Sequence, residues 1–112
     1  MATLPSPGDV VIMLHEGVQQ RKFRPFVVVS SDLFHATRPD VVLALLTSQI
    51  PPVLGPLDYA LKDWTVAGLR LPTMFRAFFS TFPVAVVPNP VGKLTDVDWA
   101  EVQARLRLAM AV

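Results

Sequence analysis

The sequence predicts a mainly β domain of the α+β kind, a small curled sheet or partly closed barrel followed by one C-terminal α-helix. Three observations lead there. Apolar runs of strand length, bounded by proline, glycine and polar residues, recur through the first ninety positions. These runs are continuous in apolar character and do not alternate cleanly, so each strand is expected to be covered on both faces, as a curled sheet allows. Only after residue 94 does the apolar spacing change to that of a helix.

The first run, "DVVIML" at 9 to 14, is opened by the turn residues "PSPG". The second is "PFVVVSS" at 25 to 31, and "HEGVQQRKFR" between the two reads as a polar hairpin loop in which Gly17 is free to take a positive φ. "DVVLALLTS" at 40 to 48 is the clearest strand, closed by "QIPPVLGP", whose three prolines forbid continued ladder bonding. Weaker strand candidates follow around 56 to 60, 73 to 80 and 84 to 87. In "LTDVDWAEVQARLRLAMAV", Thr95 suits a helix N-cap and Asp98 completes an aspartate version of the capping box. Trp99, Val102, Leu106 and Ala109 or Met110 then fall on one stripe of a helix of about four turns, fit to pack on the sheet.

Composition narrows the function classes. At 112 residues the chain is one domain's worth, so residues 1–112 are expected to form a single unit. Hydrophobic residues make up 52% and charged residues 17%, and part of so much apolar surface is expected to meet another subunit. With no cysteine and only His15 and His35 as histidines, neither a thiolate nucleophile nor a histidine-built metal site is expected, and no cofactor is implied. No apolar run reaches the length of a membrane span, and "MATLPSPGD" lacks the features of a secretory signal, which makes the cytoplasm the default and a membrane an unexpected partner.

Three stretches could carry chemistry. Pro25 pushes Arg24 toward extended backbone and restricts the direction of a permanently charged, planar side chain that can donate two parallel hydrogen bonds to a phosphate. Arg21 and Lys22 add local positive charge, although an ordinary surface arginine ahead of a strand would look the same. Thr47, Ser48 and Gln49 place three hydrogen-bonding side chains where the third strand meets solvent, either as a site or as satisfiers of loose backbone groups. In "DWTVAGLRLPTMFR" at 63 to 76, Ala67, Gly68 and Leu69 read as a turn, and Thr73 and Arg76 could face a shared groove. Trp64 could stack on a base, or be core or interface.

Taken in order, "PGDVV", "RPFVVVSSD", "LTSQ", "AGLRLPT" and "GKLTDVDWAEVQARLRLAM" resemble the MazF/PemK family of toxins from type II toxin–antitoxin pairs over nearly the whole length. The resemblance implies an SH3-like barrel with a C-terminal helix (the CcdB/MazF-like fold), a homodimer, and metal-independent, sequence-selective cleavage of single-stranded RNA. It implies Arg24 and Thr47 as the catalytic pair, with 2′-hydroxyl attack leaving a 2′,3′-cyclic phosphate and a 5′-hydroxyl. Implied RNA-binding residues are His15, Arg21, Lys22, Ser48, Gln49, Trp64, Thr73 and Arg76. A cognate antitoxin would be the partner, with DNA bound only through the antitoxin complex. Some relatives carry an acid where this chain has Phe78, and the segment from 78 to 92 is nearly uncharged. Alternatives on the same barrel are a gyrase-targeting toxin, for which "RLRLAMAV" lacks the expected C-terminal tryptophan, and an RNA- or protein-binding barrel with weakened catalysis.

Overall fold

A computed structural model describes residues 4–16 and 21–112; for Glu16 it describes the backbone only. Six antiparallel strands form one curled sheet in the order β4-β5-β3-β2-β1-β6. The strands are β1 (Asp9–Glu16), β2 (Arg21–Val28), β3 (Asp40–Thr47), β4 (Tyr59–Ala60), β5 (Met74–Pro83) and β6 (Gly92–Lys93). A short helix, α1 (Asp32–Thr37), joins β2 to β3, and α2 (Asp96–Ala109) comes after β6.

Because successive strand residues point to opposite faces, the continuous apolar runs divide into two clusters. Val10, Val27, Ala44, Leu46 and Phe75 turn to one face, where Leu61, Ala67, Leu94 and Val102 complete a buried core. Val11, Met13, Phe26, Val28, Val41, Leu43 and Leu45 turn to the other, packed by Phe82, Val84 and Val87. Coverage on both faces is what the lack of alternation predicts. Helix α2 lies over the first cluster through buried Val102 and half-buried Trp99 and Leu106, the expected stripe, while Met110 at its end is exposed.

The N-terminus of α2 departs from the expected capping box. The Thr95 hydroxyl oxygen does accept the Asp98 N–H, at 3.3 Å. The Asp98 carboxylate, however, does not turn back to the cap. It is fully buried and accepts from the Tyr59 hydroxyl (2.6 Å), the Lys62 N–H (2.9 Å) and the Asp63 N–H (2.8 Å), tying the helix to β4 and the segment after it. The Thr95 hydroxyl donates in turn to Asp63, at 2.9 Å.

A glycine clasp fixes one loop against the sheet. Gly68 has φ +86, and a Cβ there would stand 2.5 Å from the Val91 carbonyl oxygen. A Cβ on Gly92 would stand 2.2 Å from the Ala67 oxygen. Two glycines thus let the turn after β4 press on β6, so a loop bridges the sheet between strands at opposite ends of its order.

Other boundaries differ from expectation. The hairpin is tighter than "HEGVQQRKFR" suggests: β1 runs on to Glu16 and β2 begins at Arg21, so Arg24 lies within a strand. Gly17 lies outside the described residues. The stretch 84 to 87 is a 3₁₀ turn, Val84–Val86, and not a strand. Neither α1 nor β6 was expected. Ser31 caps α1 by accepting the Phe34 N–H at 3.1 Å. His35, on α1, is buried, its Nε2 2.5 Å from the Ser30 hydroxyl, which also accepts the Val42 N–H; its role is to pin the helix to β3.

Candidate functional site

The site begins with the proline. β2 pairs with β3 through Phe26↔Leu45, Val27↔Ala44 and Val28↔Leu43, and the pairing stops at Pro25, which has no N–H to donate. Two residues beyond the last pair stand Arg24 on β2 and Thr47 on β3, where the strands are no longer bonded to each other. Between these parted ends opens a groove of about 640 Å³ lined by Phe23, Arg24, Pro25, Leu46, Thr47 and Ser48 on one side. The facing side, Gly68 to Leu71 with Thr73 and Val91, is the clasped turn and its continuation.

Thr47 is half-buried, and its hydroxyl oxygen accepts the Gln49 N–H at 3.1 Å. That bond occupies an acceptor site and leaves the O–H hydrogen free to donate into the groove. Arg24 is half-buried, and its guanidinium has no hydrogen-bond or ion-pair partner among the described residues. Arg70 adds a second cation, and among the described residues no acid lines the groove. Such a lining favours an anion, and a phosphate meets two donors of different kinds there.

A second pocket, about 390 Å³, adjoins on the other side of Thr47 and is lined by Gln49, Pro51, Asp58, Met74 and Arg76. A separate concavity of about 380 Å³ between the Leu4–Asp9 segment and Val84–Pro90 is lined, among the described residues, by no cation and by the acid Asp9, which accepts the Ser6 N–H at 2.9 Å.

The residues singled out in the sequence fall into two sets. Arg24, Thr47, Ser48 and Thr73 share the groove; Gln49 and Arg76 share the adjoining pocket with Thr47. Thr73 is buried and donates its hydroxyl to the Leu71 carbonyl at 2.7 Å, which shapes the wall. His15, Arg21, Lys22 and Trp64 line neither concavity. His15 packs edge-on against Phe26 and Phe78, with centroids at 6.0 and 5.5 Å. Arg21 and Lys22 are exposed further along β2, and Trp64 is half-buried against the main core.

Phe23, Arg70 and Asp58 were not singled out from the sequence. Phe23 is 72% exposed beside Arg24, a large aromatic left in solvent at the mouth of a cationic groove. Its signal was its place in "RKFRPF", one residue before the arginine. For metal binding, no group of three or more histidine or acidic side chains stands suitably close among the described residues.

The sequence profile described as PemK-like, MazF-like toxin of type II toxin–antitoxin system matches residues 6–110. A comparison with curated proteins finds no match. Among solved structures, MazE–MazF from Deinococcus radiodurans is similar with a TM-score of 0.75 at 15% identity, covering 99% of this chain and 99% of that one. An endoribonuclease in complex with its cognate antitoxin from a mycobacterial species gives 0.74 at 18%, covering 94% and 93%. Mycobacterium tuberculosis toxin MazF-mt6 gives 0.67 at 16%, covering 90% and 94%. These likenesses establish the fold, and with a profile match spanning nearly every residue the chain belongs to the PemK-like, MazF-like toxins of type II toxin–antitoxin systems.

Proposed function

We propose that this toxin is an endoribonuclease that cleaves single-stranded RNA in the groove between the ends of β2 and β3. The carrying observation is that Arg24 and Thr47, twenty-three positions apart, line one opening whose described lining has cations and no acid. RNA supplies its own nucleophile, the 2′-hydroxyl, so the protein has to align it with the phosphorus and stabilise the charge that builds on the phosphoryl oxygens. Arg24 meets that charge with a guanidinium that has no other partner among the described residues. Thr47 donates its hydroxyl hydrogen to the reacting phosphate; a neutral hydroxyl is a poor base, so its part is to hold the phosphate in place. The 2′-oxygen bonds to phosphorus as the bond to the 5′-oxygen breaks, and the 2′-hydroxyl proton passes to solvent while the leaving oxygen gains one. The products are a 2′,3′-cyclic phosphate and a 5′-hydroxyl.

Phe23 fits the same reading as a face on which a base stacks while its phosphate meets Arg24. The chain acts as one cytoplasmic toxin domain, paired with a second copy and held in check by an antitoxin. Exposed Val66, Leu71 and Phe78 are apolar surface suited to such contacts.

The test is incubation of the purified protein with mixed-sequence RNA in EDTA. Discrete fragments ending in cyclic phosphate are expected. Intact RNA, with gyrase-dependent DNA breaks instead, would overturn the reading; cleavage only on adding a divalent metal would overturn its metal independence.

A further inference from the structure

We propose that the pocket formed by Gln49, Asp58 and Arg76 is a base-reading subsite that accepts a guanine of the bound RNA next to the nucleotide at Thr47. This rests on the nuclease reading for the path of the RNA. It adds a chemical preference and a residue, Asp58, that this reading does not use.

Thr47 lines both concavities because β3 lies between β2 and β5 in the sheet. A strand with one phosphate at Thr47 therefore sends one neighbouring nucleoside toward Phe23 and the other toward Asp58. The two sides differ in chemistry. On the Phe23 side the cations are set among apolar walls, which suits stacking that is tolerant of sequence. On the Asp58 side a carboxylate and a guanidinium line one space without forming an ion pair.

Each of those charges is held for display. Asp58 Oδ2 accepts the Gly55 N–H at 2.8 Å, and the Asp58 N–H donates back to the Gly55 carbonyl at 3.1 Å. This tight turn fixes the carboxylate and leaves Oδ1 without a partner among the described residues. Arg76 sits in an irregular part of β5: between the pairs Leu46↔Phe75 and Ala44↔Phe79, β5 carries three residues where β3 carries one. Such a bulge re-aims side chains, and it turns Arg76 out of the ladder to the pocket rim.

A ligand bridging the two must present donors to Asp58 and acceptors to Arg76. Guanine alone among the four RNA bases offers two adjacent N–H donors, N1 and N2, on one edge and two adjacent acceptors, O6 and N7, on the next. The pairing of arginine with O6 and N7 is the commonest specific base contact, and single-stranded RNA leaves both edges open to it. Pro51 and Met74 give the base an apolar floor, and the Gln49 amide can serve either edge.

The test measures binding apart from cleavage. Short uridine oligonucleotides with 2′-deoxyribose throughout resist 2′-hydroxyl attack, and each carries one guanine, stepped through the positions, with inosine and adenine as replacements. Fluorescence anisotropy should show one position at which guanine binds about tenfold tighter than adenine, the lower range for a good bidentate pair. Inosine, lacking N2, should fall between. Asp58→Asn and Arg76→Gln should each flatten that preference, with thermal denaturation showing that both variants fold. Equal binding at every position, preference for another base, or a guanine preference untouched by either variant would overturn the proposal. Failure to cut ordinary RNA, with guanine-selective binding intact, would instead sink the nuclease reading and leave the subsite standing.

Discussion

Thr47 and Thr95 both stand at the end of an element, and their surroundings are opposite. At the start of α2 the polar groups serve one another: the Thr95 oxygen accepts from Asp98 N–H while its proton goes to Asp63, and the Asp98 carboxylate takes three hydrogen bonds. Arg105 lies 5.0 Å over the Tyr59 ring and pairs with Glu101 one turn earlier. At the end of β3, Thr47 accepts one bond and Arg24 makes none with its guanidinium among the described residues. Thr95 and Asp98 have spent their hydrogen bonds on the fold, whereas Thr47 keeps its O–H hydrogen and Arg24 its guanidinium donors open to the groove. Burial alone does not separate them, since Thr47 and Thr95 are both half-buried.

Substitutions in the two clusters should therefore fail in different assays. Arg24→Ala should lower RNA cleavage by about 10³-fold, the upper range for losing one preorganised charge stabiliser, with the denaturation midpoint almost unmoved. Cleavage at the parental rate would remove Arg24 from the reaction. Asp98→Ala should do the reverse. Stripping three donors of a buried acceptor costs about 3 kcal/mol, read as a lower urea midpoint, and a loss under about 1 kcal/mol would show that the cluster is not what holds α2. Thr47→Val keeps the shape and deletes the hydroxyl, and cleavage should fall about 10²-fold with unfolding unchanged.

Phe23→Ala should weaken RNA binding about tenfold, near the low end for one lost stacking contact, and by a similar factor for every sequence. A sequence-dependent loss would mean that Phe23 reads bases and does not merely support them. The smallest effect lies in alkali. The Tyr59 hydroxyl is pushed well above its ordinary value, first by burial, then by its hydrogen bond to Asp98 and the negative charges of Asp98 and Glu101, with Arg105 opposing. The folded protein keeps a proton that the unfolded chain gives up near pH 10, so this stabilisation is complete below about pH 10 and declines as pH rises beyond it. Denaturation midpoints across that range should slope downward, and Tyr59→Phe should flatten the slope.

Legibility in the sequence tracks how local each cause is. β3 and α2 carry their own signals: an uninterrupted valine-leucine run, and a cap with an apolar stripe behind it. β6 has only two residues and exists because β1 lies beside it, which nothing in "GK" announces. The capping box was half legible for the same reason. The Thr95 bond is local, but the donors that claim Asp98 come from 35 to 39 positions earlier. For the candidate site, "LTS" was visible as a strand end and "RP" as the mouth of a strand that in fact begins three residues earlier, and the topology brought both to one groove. Phe23 and Asp58 were missed because a phenylalanine in an apolar run resembles core, and an aspartate after "GP" resembles an ordinary turn residue. Trp64 was readable both ways, as a face for a base or as core or interface, and it stands half-buried against the main core.

The clasp between Gly68 and Gly92 reaches further than its own few atoms. The wall across from Arg24 belongs to no strand; most of it is a loop whose placement is inherited from β6 and, through Leu94 and Asp98, from the helix beyond. Groove width is thus set from the C-terminal end of the chain. A methyl group added at Gly92, or a helix loosened at its first turn, would alter the shape of the groove without changing any residue that lines it.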